Sequence, residues 1–181
     1  MATTVENLKT AITGESKACA KYSAYATRAA QEGYPQIQKM FEAAAKAERI
    51  HATNHNKVLV KLGCDPIELD IEMHVGNTIE NLRDAKAGEI YEFAEMYPPM
   101  IVDAEAEGVK DAVRSFTWAM EAEKGHAEFY GEALRQLEAG EKLNLPEKYY
   151  VCPLCGDTFA AESAPDKCPV CNLPKSKYLE I

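Results

Sequence analysis

A Glu-x-x-His motif occurs twice in this chain, as Glu48 to His51 and again as Glu123 to His126. Both motifs lie in long stretches rich in Ala, Glu, Lys and Leu, which predict helices. Residues three positions apart on a helix lie about 60° apart around its axis, so each Glu shares a face with its His. The folded helices can bring the two faces that carry these Glu and His residues together at a shared site, or they can leave these faces exposed to solvent.

Breaks in the helical pattern divide the first part of the chain into four segments. Glycine and proline residues mark breaks near 33–35, 63–66 and 108. The predicted helices cover about 4–31, 35–62, 77–107 and 109–140, with a kink in the third at Pro98-Pro99. Two tight turns and one long link suit a four-helix bundle with a crossover connection, so the predicted class is mainly α. A structural or partner-binding bundle without chemistry remains an alternative.

The two halves of the bundle repeat one arrangement of acidic and imidazole groups. Glu15 precedes Glu89 by 74 residues, and both members of the Glu-x-x-His motif recur after 75 residues. One Glu-x-x-His in a Glu-rich helix is more often a solvated face, but the matched spacing favours a shared site. Four Glu and two His around a bundle centre bind two iron or manganese ions, and two divalent cations neutralise four carboxylates.

Glu92 lies one helical turn beyond Glu89, on the same face. It offers the site a fifth carboxylate, which can stabilise an oxidised metal pair of higher charge. The alternative is an ordinary exposed side chain, as we expect for Glu95. Tyr22 and Tyr97 are candidates either for hydrogen bonds to ligand carboxylates or for packing. The two histidines outside the motifs, His55 and His74, are predicted to be structural or surface residues.

Four of the six cysteines form two C-x2-C pairs separated by 12 residues near the end of the chain: Cys152, Cys155, Cys168 and Cys171. This spacing predicts a tetrahedral all-sulfur metal site rather than disulfides, and either zinc or a single iron fits it. Proline becomes frequent and the helical pattern stops near Leu145, so we predict domains at 1–145 and 146–181. Cys19 and Cys64 are isolated and are predicted to be buried.

The overall composition excludes several classes of protein. The chain has 181 residues, 46% of them hydrophobic and 27% charged, with a formal net charge of −9. An acidic chain repels phosphate backbones, so nucleic acid is not expected as a partner. No apolar run approaches the roughly 20 residues of a membrane span, so no membrane partner is expected either. Residues 1–6 lack the pattern of a secretory signal, which predicts a cytoplasmic protein.

Taken together, these motifs resemble the rubrerythrin family over essentially the full chain. The matching stretches are Gly14 to Ala18, Ala47 to Ala52, Glu80 to Leu82, Gly88 to Glu92, Glu95 to Pro98, Ala122 to His126 and the two cysteine pairs. The resemblance implies a ferritin-like four-helix bundle with a non-haem di-iron centre, followed by a small rubredoxin-like domain with one iron on four cysteines.

The resemblance also implies a role for each metal ligand. Glu48 and Glu123 are expected to bridge the two irons. Glu15, together with His51 or Glu92, is expected to complete the coordination of one iron. Glu89 and His126 are expected to complete the coordination of the other. In the family the first iron moves between its His and Glu ligands with oxidation state, so His51 and Glu92 are the expected catalytic residues.

The implied activity is reduction of hydrogen peroxide to water, in protection against oxidative stress. The rubredoxin-like iron would relay electrons from a donor protein, either a rubredoxin or an NADH-dependent reductase, because this chain has no G-x-G-x-x-G dinucleotide motif. A bundle about 40 Å long can separate a tail from its own centre, and the resemblance suggests a head-to-tail homodimer. The alternatives are a ferroxidase or oxidase that uses O2, and an iron-storage or metal-binding bundle with a structural zinc ribbon.

Overall fold

Four helical rods form the first part of the chain in the computed structural model, which describes residues 3–181. Met1 and Ala2, part of the N-terminal stretch considered above, lie outside the described residues. The helices are α1 (Thr4–Gln31), α2 (Pro35–Lys61), α3 (Thr78–Tyr91), a π-helical turn (Glu92–Met96), α4 (Tyr97–Ala106) and α5 (Lys110–Glu138). Because α3, the π-helical turn and α4 follow one another without a break, they form one rod, and the predicted four-helix bundle is confirmed.

The helix starts follow from local sequence. Thr3 and Glu6 form a capping box at the start of α1, and Asn77 and Glu80 form another at the start of α3. Pro35 occupies the first turn of α2, where a missing N–H costs nothing. α1 packs mainly on α2, while α3 and α4 pack on α5. The link between α2 and α3 connects these two helix pairs.

The irregularity predicted at Pro98-Pro99 lies one turn earlier, as the π-helical turn. The N–H of Tyr97 donates to the carbonyl of Glu92, five residues back. The two prolines have no N–H to donate to the carbonyls of this turn, so the turn is free to widen. Within it Glu92 is buried, whereas Glu95 is exposed, as expected.

Two apolar clusters fill the bundle, with a polar layer between them. One cluster contains Tyr22, Tyr25, Phe41, Leu82 and Tyr130, and the other contains Leu8, Leu59, Tyr97, Met100 and Phe116. Along α1, Glu15 lies between Ile12 of the second cluster and Tyr22 of the first. The acidic and imidazole residues are therefore enclosed on both sides by well-packed hydrophobic side chains.

The C-terminal part of the chain, residues 146–181, is called the tail and contains a small three-stranded antiparallel sheet. Strand β1 (Tyr149–Val151) pairs with β2 (Thr158–Ala160) on one side and with β3 (Leu179–Glu180) on the other. Short 3-10 turns cover Ala161–Ser163 and Lys175–Lys177. Leu145, Tyr149 and Val151 join the first apolar cluster of the bundle, so the tail is packed against the helices.

The predicted burial of Cys19 and Cys64 is wrong, since both side chains are partly exposed. Cys19 lines an open cleft between α1 and the link at Pro66 and Ile67. The link covers this side of α1 incompletely, which leaves the thiol accessible. Among residues 3–181, no helix has both the length and the apolar character needed to cross a lipid bilayer.

Candidate metal centre

Six acidic and imidazole side chains from four helical rods converge in the polar layer. They form two overlapping sets of four residues, one of Glu15, Glu48, His51 and Glu123, and one of Glu48, Glu89, Glu123 and His126. In each set, one ligand atom per residue lies within 4.8 Å of the others, and every member is at most 1% exposed. Glu48 and Glu123 belong to both sets, the placement needed to bridge two metals.

The converging atoms lack the hydrogen bonds that buried polar groups normally have. His51 Nδ1 lies 2.9 Å from an oxygen of Glu48 and 2.9 Å from an oxygen of Glu123, without forming a hydrogen bond to either. His126 Nδ1 lies 2.8 Å from Glu123 Oε2, also without one. Buried acceptors without a donor are costly, and buried carboxylates more so, unless a cation lies among them. The donor set therefore fits two hard or borderline divalent metals.

The electrostatics of the metal-free cluster show the same need for positive charge. Burial, and then repulsion from Glu123, raises the pKa of Glu89 well above its usual value. Burial alone would lower the pKa of His126, but the neighbouring carboxylates of Glu48 and Glu123 outweigh it and raise the pKa to about 10. Without metal, bound protons supply part of the positive charge that compensates the buried carboxylates.

Two tyrosines donate hydrogen bonds to ligand carboxylates. The Tyr22 hydroxyl donates to Glu89 Oε1 over 2.7 Å, and the Tyr97 hydroxyl donates to Glu15 Oε1. Burial, and then the nearby carboxylates, raises the pKa of both hydroxyls well above the usual value, so both remain donors. Both roles considered for these residues are present, because each ring also packs in an apolar cluster.

His55, predicted to be a structural or surface residue, is fully buried, and what the sequence prediction did not include is its contact with the tyrosine that donates to Glu15. Its Nε2 lies 3.2 Å from the Tyr97 hydroxyl, and its Nδ1 lies 2.8 Å from the Ser115 hydroxyl. Since Tyr97 gives its single proton to Glu15, its oxygen must accept from His55. The signal was available in the sequence, because His55 lies one helical turn after His51 and so on the same face.

Glu92 lies beside the first ligand set without being a member of it. Its side chain is 8% exposed, and its Oε2 has no hydrogen-bond partner among residues 3–181. It lies against α1 beside Glu15, since a Cβ at Gly14 would be at an ordinary contact distance of 3.6 Å from Glu92 Oε1. The carboxylate is therefore buried next to the Glu15 and His51 side of the centre.

The four cysteines of the tail form a second compact cluster. Their sulfur atoms all lie within 4.8 Å of one another, with Cys152 to Cys171 at 3.4 Å and Cys155 to Cys168 at 3.5 Å. A disulfide bond would be much shorter, whereas sulfurs bound tetrahedrally to one metal are about 3.8 Å apart. After the second cysteine of each pair, Gly156 and Asn172 have positive φ angles of 87° and 64°, as the tight turns require.

The tail of the chain contacts its own polar layer. Thr158 Oγ1 lies 3.0 Å from His126 Nε2, and Gly156 lies so close to His51 that a Cβ would overlap the ring. Asn54 Nδ2 also donates to the carbonyl of Leu154 over 2.8 Å. The expectation that bundle length separates a chain's tail from its own centre is therefore wrong. The chain folds back along α5 by about 18 Å, the rise of the 12 residues from His126 to Glu138.

Comparison with known proteins agrees with this geometry. Residues 6–134 match the family model described as rubrerythrin, and residues 150–178 match the rubrerythrin rubredoxin-like domain. Rubrerythrin-2 of Clostridium acetobutylicum is 35% identical over 178 residues, which cover 98% of this chain and 96% of that protein. Nigerythrin of Nitratidesulfovibrio vulgaris is 38% identical over 97% of this chain and 85% of its own length.

A solved structure is similar over the whole chain. The fully reduced, all-ferrous state of nigerythrin has a TM-score of 0.87 at 37% identity, covering 100% of this chain and 88% of that one. With the geometry above, these similarities show a ferritin-like bundle whose buried carboxylate and His groups form a di-iron site, and a rubredoxin-like four-cysteine iron site in the tail. The chain belongs to the rubrerythrin family.

Proposed function

We propose that this protein reduces hydrogen peroxide to water at the di-iron site, with electrons relayed through the four-cysteine iron. Each turnover consumes one peroxide, two electrons and two protons and produces two water molecules. The family consists of oxidoreductases, and the two overlapping ligand sets give the chain a place to store both electrons. The observation that carries the proposal is the direct contact of the cysteine-bearing tail with the His residues of these sets.

The individual ligand roles are part of this proposal. The two irons, when bound, supply two electrons and Lewis acidity. Glu48 and Glu123 would hold both metals, because each belongs to both ligand sets. Burial excludes water from the centre, while Tyr22 and Tyr97 fix the orientation of two carboxylates. His51 and Glu92 would be the alternative ligands on one side of the centre, the neutral imidazole suiting a reduced metal pair and the carboxylate an oxidised one.

A single iron held by the four cysteines would supply one electron at a time, so each turnover would need two deliveries. Cys155 is covalently linked to Gly156, which lies against His51, and this places the cysteine site close to the polar layer. We propose that a rubredoxin or an NADH-dependent reductase reduces the tail, and that the protein forms a homodimer. The division into domains at 1–145 and 146–181 is proposed on the change in composition near Leu145.

Single-turnover kinetics test the choice of oxidant. The fully reduced full-length protein is mixed anaerobically with one equivalent of peroxide or, separately, with O2, and reoxidation is followed by absorbance. We expect the peroxide reaction to be much faster. A faster reaction with O2 would instead establish a ferroxidase or oxidase. A colourless tail containing one zinc in the isolated protein would remove the electron relay and favour the iron-storage alternative.

A further inference from the structure

The imidazole of His126 has one nitrogen at the metal centre and the other at the tail. Nδ1 lies 2.8 Å from Glu123 Oε2 and 3.3 Å from Glu48 Oε1. On the opposite side of the ring, Nε2 lies 3.0 Å from the Thr158 hydroxyl oxygen. Both side chains are buried, at 1% and 6% exposed, so this contact is shielded from water. The ring therefore links the bundle's ligand set to strand β2.

Counting hydrogen atoms fixes the direction of this hydrogen bond. The Thr158 hydroxyl has a single proton, and its oxygen also lies 3.1 Å from the carbonyl oxygen of Gly156. A carbonyl can only accept, so the hydroxyl proton goes to Gly156. The Thr158 oxygen must then accept from His126, which places a proton on Nε2 and leaves Nδ1 as the nitrogen that can bind a metal among the carboxylates.

We infer that Thr158 is a positioning residue for His126, so that docking of the tail strengthens metal binding at the His126 side of the centre. The hydrogen bond selects the tautomer with Nδ1 free and fixes the plane of the ring. Outer partners of this kind change metal affinity by about 10- to 100-fold when they are removed. The inference rests on the di-iron site but not on the choice of oxidant. It can therefore fail while the peroxidase proposal holds, and the peroxidase proposal can fail while the inference holds.

The two sides of the centre differ in this respect. His51 Nε2 faces Gly156, which has no side chain, and it has no hydrogen-bond partner among residues 3–181. The ring of His51 is thus confined by contact alone, whereas the ring of His126 is also held by a hydrogen bond. Loss of the Thr158 hydroxyl should therefore weaken one metal position and leave the other unchanged.

The tautomer can be tested in the unmodified full-length protein. With Zn²⁺ as a diamagnetic probe in all its metal sites, nitrogen-15 NMR of the His side chains reports which ring nitrogen carries the proton. Zinc on Nδ1 leaves the proton of His126 on Nε2 in any case, so the exchange of that proton with solvent is the diagnostic measurement, and we expect it to be slow. A proton on Nδ1, or an Nε2 proton that exchanges as fast as one in an exposed His, would overturn the inference without the need for any variant.

Variants test the effect on metal binding. Thr158→Val keeps the shape of the side chain and removes the hydroxyl, while Thr158→Ser restores it. Thr117→Val is the matched control, because its hydroxyl donates only to Val113 within α5. In each zinc-loaded full-length protein, metal release is titrated with a chelator.

We expect Thr158→Val to release one zinc per chain at a chelator concentration about tenfold lower than the unchanged protein requires. The other zinc ions should be retained as in the unchanged protein, and Thr158→Ser and Thr117→Val should behave normally. The inference is overturned if Thr158→Val retains all its zinc normally, or if it releases every zinc more easily. The second result would reflect general loss of structure rather than positioning of His126.

Discussion

Glu92 and Glu95 lie in the same π-helical turn, yet only Glu92 is buried beside the ligand sets. Glu92→Gln removes the negative charge with almost no change in shape. We expect the reduced di-iron centre still to assemble but to be oxidised by peroxide at least about tenfold more slowly, because the more highly charged oxidised pair loses a carboxylate. Stopped-flow absorbance measures the rate. Glu95→Gln is the control and should react normally; equal rates for the two variants would show that Glu92 takes no part.

Protons replace metals in the metal-free chain, and this gives a dependence of stability on pH. The pKa of His126 is raised from 6.5 to about 10, because Glu48 and Glu123 outweigh the effect of burial. A raised pKa stabilises the folded state fully below pH 6.5, and that stabilisation is lost as the pH rises towards about 10. The raised pKa of Glu89 acts in the same direction.

We therefore expect the melting temperature of the metal-free protein to fall by several degrees between neutral and alkaline pH. The metal-loaded protein should change less, because metal rather than a proton occupies the lone pair of His126. Circular dichroism during heating measures both. A metal-free protein that becomes more stable over this range would contradict the assignment of charges in the polar layer.

The six converging ligands were predictable from the sequence because each lies on a helix, where spacing alone determines which side chains share a face. The partners of Thr158 and Gly156 were not predictable. Their contacts join residues of the tail to residues on α2 and α5, and no local periodicity relates them. His55 lies between these cases, since its face could be inferred but its bonds to Ser115 and Tyr97 required the packed bundle.

Among the elements, the helices and cysteine turns followed from local sequence, whereas the π-helical turn did not. Helix ends have capping residues and glycines as signals, and C-x2-C spacing determines the metal turns. A π-helical turn depends on which backbone carbonyls accept a hydrogen bond when the two following prolines have no N–H to donate. Packing against neighbouring helices determines that pattern of hydrogen bonds. The sequence therefore predicts a kink at Pro98-Pro99, although the irregularity begins at Glu92.

Gly156 combines a left-handed backbone with a close approach to His51, and the two effects can be separated. Gly156→Ala adds a methyl group that overlaps the His51 ring, at a φ of 87°. Gly140→Ala has the same kind of backbone strain, at a φ of 65°, but meets nothing within 4 Å.

We expect both alanine variants to lose about 1 kcal/mol from backbone strain. Only Gly156→Ala should also loosen the tail, which would lower the melting temperature of the metal-loaded protein further and speed proteolysis of the tail. Thermal unfolding and limited proteolysis measure these effects. Equal behaviour of the two variants would show that Gly156 does not press against His51 in solution.

At the scale of the whole molecule, the sequence predicts a bundle and a metal-binding tail but not their relative placement. The segment between Glu138 and Tyr149 carries no pattern that determines its direction. Burial of Leu145, Tyr149 and Val151 in the first apolar cluster determines it instead. The resemblance to the family implies a tail that serves a second subunit, whereas in this structure the tail contacts its own centre.

This placement predicts electron transfer within one chain. After the oxidised protein's tail is rapidly reduced, the rate constant for electron transfer to the centre should be the same at every protein concentration, including those at which any dimer dissociates. Stopped-flow absorbance of the cysteine-bound iron measures the rate, and sedimentation velocity gives the oligomeric state at each concentration. A rate that falls as the protein dissociates would show that the partner's tail is the donor.

All six ligands are at most 1% exposed, and this burial limits the size of any molecule that can reach and oxidise the centre. Hydrogen peroxide is little longer than a water molecule and can pass where side chains briefly part. A bulky organic hydroperoxide would have to displace packed side chains around the centre, among them Tyr22, whose hydroxyl donates to Glu89. Discrimination among oxidants would then come from the packing of the bundle, which admits molecules by size.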